Sequence, residues 1–121
     1  MEDFVSKIPE DIFEILLDLG IDPVSTTETE DYFYHLVTDY TGDPEAFETY
    51  LKKSVERDFK SMSEPPEWLQ GSEWQFNNGK PMCFVGQLDT FLQRDGDEYG
   101  LTFYVFWDME TGETKTITQS D

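Results

Sequence analysis

The sequence is poor in the residues on which most catalytic and metal-binding sites depend. It has one cysteine, Cys83, and one histidine, His35. It therefore cannot form an internal disulfide bond or a zinc site of the usual cysteine and histidine type. No Gly-x-Ser-x-Gly segment, Cys–His pairing or phosphate-cradling glycine loop can be read from it. We predict that the protein is not an enzyme and holds no cofactor or metal ion.

Basic residues are also scarce. Eight lysines and arginines stand against 27 aspartates and glutamates, which gives a net charge of −19 and a pI near 4.1. Direct binding to nucleic acid is disfavoured because phosphate contacts need clustered basic residues, and binding to an anionic membrane surface is disfavoured for the same reason. A basic protein would instead be attracted. We predict a basic protein partner, with no nucleic acid and no membrane contact.

Long apolar runs are absent. No stretch approaches the roughly 20 apolar residues of a membrane span, and the opening Met1-Glu2-Asp3-Phe4 lacks the basic and apolar regions of a secretory signal. A single cysteine agrees with a reducing compartment. These absences predict a cytoplasmic protein.

Aromatic residues, by contrast, are abundant. They make up 16% of 121 residues, enough to fill a core and too many for a disordered acidic chain. We predict one domain over residues 1–121. It comprises a helical half (1–60), a tryptophan-containing loop (61–81) and a sheet half (82–121).

Helical spacing of apolar residues predicts helices over 8–19, 28–40 and 43–60. Gly20 is a typical helix stop. Thr27 and Glu30 form a capping-box pattern for the second helix, and Asp43-Pro44 suits the start of the third.

Three strands are predicted over 82–88, 101–107 and 115–119, with a polar turn at 93–100 and a hairpin loop at 108–112. The first run is almost wholly apolar, which predicts burial on both faces, and the third is more polar, which suits an edge. The fold prediction is α+β: three N-terminal helices packed on a small antiparallel sheet formed by the C-terminal half.

The first half of the chain concentrates the negative charge. Residues 1–51 hold 14 acids and one base, for a net charge of −13. The candidate partner-binding residues on the first two helices are Asp11, Glu14, Asp18, Glu28, Glu30, Asp31 and Asp39. Such a face either docks on a basic protein or only keeps the protein soluble.

The tryptophans offer a second candidate site. We expect Trp68 and Trp74 to pin the irregular loop 61–81, as core residues or, if Trp68 is exposed, as an interface anchor. With Trp107 and Gln87 they are candidates for a small-ligand pocket. Gln87 lies in an apolar strand, so we expect its buried amide to bond the loop backbone near Trp74.

Three segments, Glu73-Trp74, residues 79–89 and residues 100–108, resemble the YwqG-like family of uncharacterised bacterial proteins. Members carry a tryptophan segment, a strand Pro-(aliphatic)-x-Phe-(aliphatic)-x-Gln-(aliphatic)-Asp and a glycine-initiated aromatic strand. The corresponding residues here are Pro81, Phe84, Gln87, Leu88 and Asp89. The chain is much shorter than family members, and its helical half has no counterpart. The resemblance implies a bacterial source and no established reaction.

Together these features predict a non-enzymatic, acidic interaction protein of the immunity-protein or inhibitor type. It would dock an acidic helical face on a basic protein partner. A small-ligand-binding module with a Trp/Gln pocket is the alternative. The sequence leaves open whether the protein is a monomer or a homodimer through its edge strand.

Overall fold

The computed structural model describes residues 2–121, with side chains from Phe4 onward. Met1, part of the N-terminal segment considered above, lies outside the described residues. The helices are a 3-10 helix Glu2–Lys7, α1 (Glu10–Leu19), α2 (Thr27–Thr38), a 3-10 turn Pro44–Ala46 and α3 (Phe47–Asp58). The strands are β1 (Phe76–Asn77), β2 (Lys80–Pro81), β3 (Cys83–Arg94), β4 (Asp97–Trp107) and β5 (Thr114–Ser120). Three helices precede an antiparallel sheet of order β3-β4-β5, which confirms the predicted α+β fold.

The ends of the first two helices are set by local chemistry. Gly20 has φ 79° and stops α1, as predicted. The cap of α2 is Thr26, not the predicted Thr27, because its hydroxyl accepts from the Thr29 amide at 3.1 Å. Thr29 is fully buried and its own hydroxyl lies 2.7 Å from that of Thr26, which fixes the start of the helix one residue earlier.

The third helix is shorter than predicted at both ends. Asp43 caps a single 3-10 turn, and α3 begins only at Phe47. It ends at Asp58 because the following residues turn extended and join the sheet. The Phe84 amide donates to the Lys60 carbonyl at 2.8 Å, and the Met62 amide donates to the Phe84 carbonyl at 2.9 Å.

The strands β3 and β4 are longer than predicted. The predicted polar turn over 93–100 is wrong, because only Asp95 and Gly96 turn, with φ 54° and 85°. Two positive φ values suit the tight connection of a two-residue hairpin. The flanking polar residues remain paired as strands in the exposed tip. They are polar because they face solvent, although they do not form a loop.

The two faces of the sheet differ sharply. Along β4, Thr102, Tyr104 and Phe106 are buried while Leu101, Phe103 and Val105 are partly exposed. We call the side of Tyr104 and Phe106 the inner face and the opposite side the outer face. The predicted burial of residues 82–88 on both faces is wrong: Cys83 and Phe84 are buried, but Leu88 is 64% exposed.

The core lies between the helices and the inner face. Phe59, just after α3, is its aromatic centre, with ring centroids 5.7 Å from Phe33, 5.2 Å from Trp74 and 5.9 Å from Phe76. Trp74 in turn meets Phe106 of β4 at 5.5 Å. One cluster of buried side chains thus joins helices, loop and sheet, and it leaves the outer face uncovered.

Candidate interaction surfaces

The predicted acidic residues lie on the surface of α1 and α2. Six of the seven are exposed and the seventh, Glu30, is partly buried. The six exposed residues are Asp11, Glu14, Asp18, Glu28, Asp31 and Asp39. Neither α1 nor α2 contains a lysine or arginine, so no such residue within these helices offsets the charge.

Two other side chains belong to this acidic surface. His35 lies between Asp31 and Asp39, with N···O distances of 3.6 and 3.4 Å one helical turn away on either side. Leu17, next to Asp18, is 76% exposed. The surface therefore has an apolar side chain among its acids, a combination that suits a protein contact better than solubility alone.

Gln87 ties the tryptophan loop to β3. Its Oε1 accepts from the Glu67 amide at 2.7 Å, and its Nε2 donates to the Glu67 carbonyl at 3.3 Å. The predicted role, a bond to loop backbone, is therefore confirmed. The predicted place is wrong, because the bonds fall beside Trp68 rather than Trp74, and Gln87 is only half-buried.

Two further inner-face side chains hold the same loop, and the sequence analysis missed both. The Tyr104 hydroxyl accepts from the Leu69 amide at 2.8 Å. Gln119 accepts from the Gln70 amide at 2.8 Å and donates to the Gly71 carbonyl at 2.7 Å. We call Gln87, Tyr104 and Gln119 the loop clamp. The signal available in the sequence was the amide side chain of Gln119 at the end of the predicted strand 115–119.

Trp68 joins this loop to the helices. Its indole nitrogen donates to the Gly20 carbonyl at 2.6 Å, and its ring lies 4.6 Å from that of Tyr104. Gly20 itself is crowded: an added Cβ would lie 3.0 Å from the Pro66 carbonyl oxygen. Trp68 is half-buried, so it acts as packing between loop, helix and sheet.

The candidate pocket residues do not share one site. Trp68 and Gln87 line a cleft of about 390 Å³ together with Phe91. Trp107 lines a different cavity of about 380 Å³. Trp74 is 1% exposed, and its indole nitrogen donates to the Met82 carbonyl at 2.9 Å, which makes it a core residue.

The cavity beside Trp107 gathers three of the eight basic residues, Arg57, Lys60 and Lys80. Acids balance them: Arg57 bonds Asp58 at 2.8 Å, and Lys80 lies 3.4 Å from Glu110. The cavity therefore has both signs of charge and no strong preference for an anion.

Asp58 is held by two donors at the edge of this cavity. The Tyr32 hydroxyl donates to it at 2.5 Å, in addition to the Arg57 bond. Burial acts to raise the pKa of Asp58, but the hydrogen bonds from Arg57 and Tyr32 outweigh it and hold that pKa below its ordinary value. Burial and the bond to Asp58 raise the pKa of Tyr32. These groups stay charged and neutral respectively near neutral pH, which suits a structural role.

Cys83 lies at the wall of the same cavity. It is a free thiol and only 7% exposed. Burial raises its pKa, although Lys60 opposes the shift. The thiol is therefore poorly nucleophilic at neutral pH. Among the side chains from Phe4 onward, no three His, Cys, Asp or Glu residues converge as a metal site.

The outer face of the sheet is uncharged between its two ends, and Arg94 and Asp97 lie on the same side at the β3–β4 tip. Its positions follow from the strand register as Gly86, Leu88, Thr90 and Leu92 on β3, Tyr99, Leu101, Phe103 and Val105 on β4, and Thr116, Thr118 and Ser120 on β5. A shallow groove of about 470 Å³ runs between Leu88, Phe103, Val105 and Thr116. None of these eleven residues is charged in a chain that is 29% charged, so the face is distinct from the rest of the surface.

A scan of protein-family models and searches of curated proteins and solved structures found no match to the chain. The resemblance of residues 73–108 to the YwqG-like family therefore stays a prediction. Within residues 2–121, no helix is long and apolar enough to cross a membrane.

Proposed function

We propose that this is a non-enzymatic protein-binding module that captures a basic protein partner, as an immunity protein or another inhibitor would in a bacterial cytoplasm. The observation that carries the proposal is the surface of α1 and α2. Six of its seven candidate acids are exposed, and neither helix contains a lysine or arginine. A surface of one sign steers a partner of the opposite sign and raises the association rate.

Two features support binding over mere solubility. The acids are concentrated, with a net charge of −13 over residues 1–51 against −8 over residues 61–121. Leu17 is exposed next to Asp18 and supplies an apolar contact at the same surface. A partner would therefore meet charge at long range and an apolar side chain at short range.

A lysate of the native host, passed at low salt over the immobilised protein and eluted with rising salt, tests the proposal. We expect a basic protein to be released at moderate salt, because screening weakens surface charge pairs. Replacing Asp11, Glu14, Asp18 and Glu30 by lysine should abolish its capture.

A matched control separates the surface from the net charge. Lysines at Glu45, Glu48, Glu56 and Glu64, all exposed and outside α1 and α2, give the same net charge as the first variant. This control should still capture the partner. Equal loss from both variants, or no basic protein captured by the wild type, would refute the proposal.

A small-ligand-binding module is the second candidate, favoured by the cleft that Trp68 and Gln87 share with Phe91. Gln87 already uses both amide atoms on Glu67. The cleft would therefore offer a ligand the rings of Trp68 and Phe91 and the acidic residues Glu67, Asp89 and Asp121. A shift of tryptophan fluorescence on adding small aromatic compounds, unchanged by salt, would favour this candidate. No shift at millimolar compound would remove it.

A further inference from the structure

We propose that the outer face of the β3-β4-β5 sheet is a second binding surface. Its occupant is a protein surface with an apolar centre and lysine or arginine at both ends. The inference rests on the proposed function for the basic character of the partner, but it concerns the side of the sheet opposite the core and the helices.

Exposure is the first argument. Leu88 and Leu92, both on the outer face, are 64% and 41% exposed. Soluble proteins rarely leave contiguous apolar patches uncovered unless something binds there. The helices and the tryptophan loop pack on the inner face, and nothing within the described residues covers the outer one.

The absence of charge is the second argument. A strand face that serves only solubility is expected to alternate apolar-in with polar and charged-out. Here the outward positions of β4 between its two ends are Tyr99, Leu101, Phe103 and Val105, and those of β5 are neutral hydroxyl residues. The alternation reaches charged residues only at the β3–β4 tip, with Arg94 and Asp97. Depletion of charge at the centre of a surface is the compositional mark of an interface.

The charged residues at the two ends of the outer face indicate which kind of partner it would bind. The β3–β4 tip carries Asp95, Asp97 and Glu98 against one base, Arg94. The β4–β5 loop carries Asp108, Glu110 and Glu113, and Lys80 faces only Glu110. The apolar face thus lies between two acidic ends, separated by the length of β4, roughly 34 Å at 3.4 Å per residue.

This charge pattern selects against a second copy of the chain. Two outer faces stacked in either direction would place acidic ends on acidic ends, between molecules that each carry −19. Like charges placed together across an interface are unfavourable, whereas lysines or arginines at both ends would be complementary. The occupant is therefore a basic partner.

A defined probe tests the surface directly. It is a synthetic β-hairpin peptide with valine, isoleucine and phenylalanine on one face and lysines at both ends, and its matched control has glutamates in place of the lysines. The protein is titrated with each peptide and followed by two-dimensional NMR. We expect amide shifts along Leu88, Phe103, Val105 and Thr116, none on α1, and at least about ten-fold weaker binding of the glutamate peptide.

Two variants sharpen the test. Leu88→Glu, at a side chain that contributes little to the core, should lower the affinity for the lysine peptide by about ten-fold or more. Val24→Glu, at an exposed apolar residue of the loop between α1 and α2, should leave that affinity unchanged. Sedimentation should give the same molecular mass for the wild type and for Leu88→Glu, because the face does not bind a second copy of the chain.

Three results would overturn the inference: no binding at millimolar peptide, equal binding of the two peptides, or shifts confined to the helices. A dimer that Leu88→Glu dissociates would also overturn it, since a second copy would then occupy the face. Each of these leaves the lysate result intact. Conversely, an empty lysate column with the peptide bound at the sheet would remove the proposed function and keep this surface.

Discussion

The two faces of one sheet show how differently the same strands can be used. On the inner face, Tyr104 and Phe106 are fully buried, and the loop clamp satisfies the polar groups of the covering loop. On the outer face, Phe103 and Val105 alternate with them along β4 yet meet no covering element. The difference teaches that apolar content in a strand does not decide burial. The elements available to pack against it do, and here all of them lie on one side.

Removing a ring from each face should give the largest contrast. Phe106→Ala deletes a fully buried ring in contact with Trp74 and Phe84, and should lower the free energy of unfolding by about 3–5 kcal/mol. Phe103→Ala, its neighbour on the outer face, should lower it far less. Urea unfolding measures both, and equal losses would mean that the outer face is part of the core.

The loop clamp should give the next largest effect. Gln119→Leu removes the hydrogen bonds to the Gln70 amide and the Gly71 carbonyl, and each lost bond costs about 0.5–1.5 kcal/mol. Thr118→Leu, on the outer face beside it, should change the unfolding free energy little. Hydrogen exchange should speed up at residues 69–71 in the first variant only; protection unchanged in both would refute the clamp.

Gly20 should give a smaller but specific loss. Its φ of 79° disfavours any side chain by about 1–2 kcal/mol, and an alanine Cβ would also press on Pro66. Gly71→Ala is the matched control, because nothing lies within 4 Å of its added Cβ. In thermal melts, Gly20→Ala should therefore unfold at a lower temperature than Gly71→Ala. A Gly20→Ala protein as stable as the wild type would contradict the left-handed turn and its close contact with Pro66.

The smallest effect is the pH dependence of Asp58. Its folded pKa is lowered, so the stability it adds is fully present above its ordinary pKa near 3.8 and is lost as pH falls through the folded value. The difference in unfolding free energy between wild type and Asp58→Asn should be constant, about 1 kcal/mol or less, near neutral pH, and shrink below about pH 4. A difference that grows on acidification would contradict the assigned bonds.

Much of the fold could be predicted because local signals agreed with tertiary packing. Gly20 stopped α1 where its residue type predicts a helix end, with φ 79°. The prediction of a polar turn over residues 93–100 was wrong because a polar sequence is expected both in a loop and in the exposed tip of a hairpin. The prediction that β3 is buried on both faces was wrong. A continuous apolar run has no alternation that would show which of its side chains face the core and which face solvent.

The candidate sites were predictable only in part. Exposure of the acids followed from helical spacing, since charges on a helix avoid the core. The outer face could not be foreseen, because Leu88 and Phe84 look alike in sequence until the bulge at Val85 and the strand register set their sides. Likewise, Gln87 in an apolar strand predicted a polar contact, but the sequence did not indicate that its partner is Glu67, 20 residues earlier in the chain.

The most direct test of the account is calorimetry of the purified protein with the basic partner recovered at low salt, repeated as salt rises from about 50 mM to about 500 mM. The account predicts that the dissociation constant rises steadily with salt and that the lysine variant at Asp11, Glu14, Asp18 and Glu30 no longer binds. Binding that is independent of salt and untouched by that variant would contradict the claim that these acidic helices recognise a basic protein.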